Sequence, residues 1–150
     1  MRHATAGFIT LAAMLSAGPV LAEGKPLPAP SSNTTVQGEL TITLDGDKPV
    51  CAPAELKLPA NTNVELHIVS KANVPVTITA PGQFEKGHVL HADGSLIHVS
   101  SEKGYLVKAN GQGVLKIRTM EAGAETYACT TTSNQKAPFE GKLILTPPAG

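Results

Sequence analysis

The side chains best suited to chemistry in this 150-residue chain are those of two cysteines and five histidines. His88 and His91 are the only closely spaced histidine pair. On a helix, two histidines three residues apart share a face and could hold one metal ion. Gly87 before the pair and Asp93-Gly94 after it favour a loop or a hairpin end, which would leave both imidazoles in solvent.

Two further histidines have ordinary structural explanations. His67 lies opposite the apolar residues of its predicted strand, which predicts a surface position. His98 shares a face with Leu96, which predicts a partly buried imidazole. Neutral imidazole is nevertheless the commonest metal ligand in proteins, so His98 remains a candidate ligand beside the closely spaced pair.

Recognisable catalytic motifs are missing from the sequence. It has no Ser/His/Asp order, no glycine-rich phosphate loop, no paired Cys-x-x-Cys and no His-Glu-x-x-His. Glu121, Glu125 and Glu140 lie at predicted turns or exposed strand positions, where solvated charge is the usual explanation. No nucleophile with an evident base is visible. The sequence therefore predicts a protein that is not an enzyme.

The composition excludes several classes of partner. Twelve basic residues balance twelve acidic ones, so no net field draws the chain to nucleic acid or to an anionic membrane. With three Phe, two Tyr and no Trp, base-stacking platforms and aromatic ligand cages are not expected. We therefore expect no nucleic-acid partner.

Residues 1–22 have the organisation of a secretory signal peptide. A short basic start precedes an apolar run, and Val20-Leu21-Ala22 places small residues before a cut at Glu23. The apolar run is shorter than the roughly 20 residues that span a bilayer. Residues 23–37 are rich in Pro and Ser and predict a flexible tether. We expect a periplasmic or secreted protein, not inserted in the membrane after cleavage.

Both cysteines, Cys51 and Cys129, fall in the predicted exported part. Two cysteines in an oxidising compartment most often pair, which predicts a disulfide between them. The sequence alone does not establish that their Cα atoms come within bonding range.

From Gly38 onward the hydrophobic pattern has a period of two, as expected of half-buried strands. Turn residues separate most of the apolar segments. Nine short strands without a helix-length amphipathic stretch predict an antiparallel sandwich over residues 38–147, with room for a small helix in 83–93. The predicted strands are 39–44, 56–58, 64–68, 76–78, 96–100, 105–108, 114–118, 125–129 and 141–145.

The first part of this domain resembles the opening of the cupredoxins, the blue copper protein family. Members often show Phe-x-Pro-x-x-hydrophobic-x-Val-x-x-Gly-x-x-Val. Here Pro53, Leu56 and Val64 match that pattern, Cys51 takes the aromatic position, and Asn61 takes the position of the turn glycine. Asn tolerates a left-handed turn conformation better than most residues.

The last part of the domain also resembles that family. Cupredoxins show Gly-x-Tyr-x-aromatic-x-Cys, then a loop with copper ligands, then x-Gly-x-hydrophobic-x-hydrophobic. The matching positions are Gly123, Tyr127, Cys129, Gly141, Leu143 and Leu145. The resemblance implies an all-β, cupredoxin-like fold, an antiparallel Greek-key sandwich or barrel.

The copper ligands of the family are mostly replaced. A blue copper site uses two His, one Cys thiolate and usually an axial Met. The resemblance makes Cys129 the thiolate position. Residues 132–135 contain no His where one is expected, Pro75 is followed by Val76 at the other His position, and Phe139 stands about where the Met would. Of four expected ligands, only the cysteine remains.

Two interpretations of function remain open. The favoured one is an exported cupredoxin-like binding or accessory module with no cofactor, a Cys51–Cys129 disulfide in place of the copper site, and a periplasmic protein partner contacted through 83–91. The alternative is a copper-binding, electron-transfer cupredoxin with Cys129, His88, His91 and His98 as altered ligands. An unrelated immunoglobulin-like sandwich would give a similar strand pattern.

Overall fold

The computed structural model describes residues 35–85, 87–99 and 103–147. The predicted signal peptide and most of the predicted tether lie outside these ranges. Within them the chain forms eleven strands and one 3-10 turn, Thr132–Asn134. The strands are β1 Val36–Asp45, β2 Lys48–Ala52, β3 Glu55–Pro59, β4 Asn63–Ser70, β5 Val76–Thr79, β6 Val89–Gly94, β7 Leu96–Val99, β8 Gly104–Val107, β9 Gln112–Arg118, β10 Gly123–Thr130 and β11 Phe139–Thr146.

The strands form two sheets packed face to face, which confirms the predicted all-β sandwich. One sheet has the order β2-β1-β4-β9-β6, and the other has the order β3-β11-β10-β5-β8-β7. Both sheets are mixed rather than wholly antiparallel, because β1 pairs with β4 and β11 pairs with β3 in parallel. The chain changes sheet between β2 and β3 and again before β4, so β4 returns beside β1 in the same direction.

The core lies between the sheets and follows the period-two pattern. Leu40 and Ile42 from β1, and Leu66 and Ile68 from β4, are almost completely buried, as is Ile78 from the other sheet. Polar residues at the alternating positions of β1 and β4 lie on the outer face. Burial of these aliphatic side chains, each contributing about 1.5–3 kcal/mol, holds the two sheets together.

Two of the eleven strands were not predicted. Strand β2 contains Pro49, which argues against a central strand but is tolerated here because β2 is the edge of its sheet. Strand β6 is also an edge and mostly exposed, so it lacks the apolar alternation of a half-buried strand. It occupies the stretch where a small helix was expected, and no helix forms in the described residues of 83–93.

The start of β1 and the turn before β4 can each be compared with what the sequence predicts. Strand β1 begins at Val36, two residues before the expected start of the domain. Asn61 has a φ of 51°, so it adopts the left-handed conformation expected at the glycine position of the family pattern. None of the described residues belongs to a helix long and apolar enough to cross a membrane.

Candidate functional site

The two cysteines join the sheets at one end of the sandwich, here called the disulfide end. Cys51 lies on β2 of the five-stranded sheet, and Cys129 lies near the end of β10 in the six-stranded sheet. Their sulfur atoms are 2.07 Å apart and their Cα atoms 6.7 Å apart. Exposure is only 1% for Cys51 and 0% for Cys129. The predicted disulfide is therefore present as a buried link between the sheets.

Apolar side chains surround this disulfide. In the ladder Cys129 pairs with Ile78 on β5 and with Phe139 on β11. Val76, at the start of β5, is fully buried. The ring centroid of Phe139 lies 6.1 Å from that of Tyr127. The two positions where the family resemblance expects a histidine and a methionine thus carry hydrocarbon side chains packed in place.

Tyr127 fastens the chain that follows Cys51 to β10. Its hydroxyl donates a 2.6 Å hydrogen bond to the carbonyl oxygen of Pro53. Burial raises the pKa of Tyr127 to about 12. Gly141 lies against the tyrosine ring, and a Cβ there would collide with ring atoms. The family-like Tyr and Gly positions therefore have a structural role beside the disulfide.

His98 is far from Cys129. It lies on β7, the edge strand, and is exposed, with its ring centroid 5.1 Å from that of Tyr105. The prediction of partial burial was wrong, because an edge strand leaves this face open. In register, His98 pairs with Tyr105, Tyr105 with Ile78, and Ile78 with Cys129. Three strand spacings separate histidine and cysteine, on the order of 14 Å.

His88 and His91 do not share a helical face. His91 is an exposed residue of β6, and its Nε2 lies 2.8 Å from Oδ1 of Asp93. His88 is half-buried in the turn before β6, and its Nδ1 lies 3.2 Å from the carbonyl oxygen of Gly82. The alternative ligand set is not brought together by the structure. Among the residues it describes, no group of three or more His, Cys, Asp and Glu could hold a metal ion.

A groove of about 490 Å³ opens at the opposite end of the sandwich, here called the groove end. It runs beside the start of β10, and Leu143 contributes to its apolar wall. His88, Arg118, Met120 and Glu125 are its chemically distinctive lining residues. Its volume falls within the range typical of small-ligand sites. His88 and Glu125 stand out in the sequence, but nothing in the sequence indicates that they share a cavity.

Gln83 lies behind this groove and holds residues that line it. Its side chain is completely buried, its amide nitrogen donates to the Arg118 carbonyl at 2.9 Å, and its amide oxygen accepts from the Met120 N–H at 3.0 Å. Its own backbone N–H donates to Oε1 of Glu125 at 3.1 Å. The buried side-chain amide of Gln83 therefore positions Met120, and its backbone N–H positions Glu125. The burial of Gln83 and its hydrogen bonds arise from the fold, and no pattern in the sequence indicates them.

No protein-family model and no curated protein sequence matches the chain. Solved structures do match it. Auracyanin B has a TM-score of 0.50 and 21% identity, over 81% of this chain and 97% of its own. A multicopper oxidase from Campylobacter jejuni has a TM-score of 0.52 and 11% identity, over 79% of this chain. One from Pediococcus acidilactici has a TM-score of 0.51 and 10% identity, over 83% of this chain.

The chain has a cupredoxin-like fold. The cupredoxin-like domain spans 31% of the Campylobacter oxidase and 29% of the Pediococcus oxidase. Identities this low establish the fold and carry no statement about activity.

The residues of this cupredoxin-like domain do not fit a type 1 copper centre. Such a centre needs a thiolate, two imidazoles and usually a weak axial ligand. The sulfur of Cys129 is bonded to Cys51. Val76 and Phe139 present only hydrocarbon, and Thr132 is an exposed residue of the 3-10 turn. The residues at the disulfide end therefore form a covalent link between the sheets rather than a set of copper ligands.

Proposed function

We propose that this protein is an exported, non-enzymatic binding module in which a disulfide replaces the copper centre of the cupredoxin-like fold. The observation that carries the proposal is the bond between the sulfurs of Cys51 and Cys129. A metal needs the thiolate form of cysteine, and a disulfide sulfur has no such charge to offer. Val76 is buried at a position where the family resemblance expects a histidine, so a hydrocarbon side chain packs there in place of a copper ligand.

Two observations support export. Residues 1–22 have the basic, apolar and small-residue regions of a secretory signal peptide. The disulfide belongs to an oxidising compartment, since cytosolic reductants keep most thiols reduced. A periplasmic or secreted location accounts for both features.

The groove end supports the binding role. Segment 83–91 was expected to contact a partner, and its first part is anchored, because Gln83 and Phe84 are buried. Leu90 in the same segment is 51% exposed, so its side chain is accessible to a partner. The exposed leucine and the groove lined by His88 lie at the same end of the sandwich. A protein in the same compartment is the partner we propose for this surface.

Titration with Cu(II), followed by visible absorption, tests whether the disulfide stands in place of a copper centre. The wild-type protein should develop no intense thiolate-to-copper band. Cys51→Ser provides the matched control, because it frees the Cys129 thiol while Val76 and Thr132 still supply no imidazole, and it should also give no such band. A strong band in wild type that disappears in Cys129→Ser would overturn the proposal.

A further inference from the structure

Three potential metal donors line the groove around Gly82. They are the imidazole of His88, the thioether of Met120 and the carboxylate of Glu125. His88 contacts the carbonyl oxygen of Gly82, and Met120 and Glu125 lie beside the position that a Cβ on Gly82 would take. This grouping lies at the groove end, remote from the disulfide. It combines an imidazole and a carboxylate with a thioether, so it is not one of the groups made of His, Cys, Asp and Glu alone.

The contact of His88 leaves one ring nitrogen available. Its Nδ1 lies 3.2 Å from the carbonyl oxygen of Gly82, and a carbonyl oxygen can only accept. Nδ1 therefore carries the hydrogen. In the neutral imidazole Nε2 is then unprotonated, and its lone pair can bind a metal ion. Histidines that bind metals commonly direct their other N–H to a backbone carbonyl in this way. The backbone N–H of Arg118 also holds the His88 carbonyl, at 2.9 Å.

Met120 and Glu125 converge on one point in space. A Cβ built on Gly82 would lie 2.7 Å from Oε2 of Glu125 and 3.2 Å from Sδ of Met120. The two donor atoms can therefore be no farther apart than the sum of those distances. Oε1 of Glu125 already accepts the Gln83 N–H, which leaves Oε2 directed to this space. The missing side chain of Gly82 keeps the space between the donors open.

The charge of the groove suits a cation. Glu121 and Glu125 line it, against the single guanidinium of Arg118 among its described lining residues. The Nε of Arg118 donates to Oδ1 of Asn63 at 2.6 Å, which ties the guanidinium to a residue outside the groove lining. A thioether selects a soft ion, and imidazole suits copper. We propose that the imidazole of His88 and the thioether of Met120 bind copper(I), with the carboxylate of Glu125 beside them to balance its charge, and this site goes beyond the proposed function.

Competition for Cu(I) against a colorimetric chelator, without oxygen and with the full chain, tests this site. The wild-type protein should take up one copper ion. Met120→Leu and His88→Gln should each weaken binding by about tenfold or more, as the loss of a ligand does. The matched control is His91→Gln, which removes the neighbouring imidazole of the pair and should bind like wild type. Equal affinity in all four proteins, or no stoichiometric uptake, would overturn the proposal.

Gly82→Ala tests the same site without removing a donor. Its methyl group would enter the space between Oε2 and Sδ, while both neighbours are the ends of flexible side chains that can move aside. We expect unchanged thermal unfolding and about tenfold weaker Cu(I) binding. Wild-type Cu(I) affinity in this variant would contradict the proposed geometry.

Labelled methionine methyl groups provide a direct signal from the thioether. The chain has three methionines, and only Met120 lies in the described residues; its NMR resonance is the one lost in Met120→Leu. This resonance should shift on addition of one equivalent of Cu(I), a diamagnetic ion. If it stays in place while copper binds, the thioether is not a ligand and the site is wrong. Neither result bears on the Cu(II) test of the disulfide end.

Discussion

The two ends of the sandwich differ although one strand, β10, runs through both. Cys129 near its end is 0% exposed and bonded across to the other sheet, among hydrocarbon side chains. Glu125 nearer its start lines an open groove with a thioether and an imidazole. The end where the family resemblance expects copper ligands holds a buried disulfide. The imidazole, thioether and carboxylate of the groove lie at the opposite end.

The difference between the ends has a simple cause in the strands. At the disulfide end, β5 pairs with β10 through Ala128, Cys129 and Thr130 and closes the sheet. Strand β5 ends at Thr79, so the earlier residues of β10 have no such neighbour, and the turn at 80–85 covers only part of the gap. A short strand thus leaves room for the groove.

The largest expected effect comes from opening the disulfide end. The double variant Cys51→Ala/Cys129→Ala removes a link between residues separated by 78 positions. We expect a loss of about 3–5 kcal/mol in the free energy of unfolding, measured by urea denaturation, because the unfolded chain regains its loop entropy. Wild-type protein unfolded under reducing conditions serves as the control and should lose a similar amount. A loss below about 1 kcal/mol would mean that the link does not hold the sheets together.

The stability of the groove end should depend on Gln83. Gln83→Ala removes the bonds to the Arg118 carbonyl and the Met120 N–H and leaves a small cavity. We expect a loss of about 2–4 kcal/mol in unfolding free energy. Gln112→Ala, at an exposed position of β9, is the matched control and should change stability by less than about 0.5 kcal/mol. Equal effects in the two variants would show that the buried amide does not support the wall.

Tyr127→Phe should have a smaller effect and a pH signature. Loss of the hydrogen bond to Pro53 should lower the unfolding free energy by about 1–2 kcal/mol at neutral pH. The folded pKa of about 12 exceeds the ordinary value of 10.0, so the wild-type protein should lose stability as pH rises from 10.0 toward 12. The variant should lose less, with a residual decline from Tyr105, whose pKa burial also raises. Parallel profiles of variant and wild type would contradict this assignment.

The smallest effect is expected at the surface of the groove end. Lys103 and Glu85 form a 3.3 Å ion pair with both side chains about half exposed. Glu85→Gln should change the unfolding free energy by less than about 0.5 kcal/mol, because exposed pairs gain little in water. Thermal unfolding at low and high salt checks this. A loss above 1 kcal/mol that vanishes in salt would assign the pair a role in holding the turn.

The sequence predicted the fold better than the site. Alternation in β1, with Leu40 and Ile42 facing inward, depends on local spacing and is visible without tertiary structure. Strand β6 was missed because an exposed edge has no reason to alternate. The disulfide followed from compartment and cysteine count, but its position between opposite sheets needed the fold. The groove could not be predicted because His88 precedes β6, whereas Met120 and Glu125 lie just before β10 and near its start, and only the folded sheets bring these two segments together.

Counting free thiols in the denatured, unreduced protein is the sharpest test of the link between the two sheets. We expect none before reduction, because the sulfurs of Cys51 and Cys129 are bonded to each other, and two after reduction. Two reactive thiols before reduction would show that the link is absent and would make Cys129 of β10 a candidate metal ligand again.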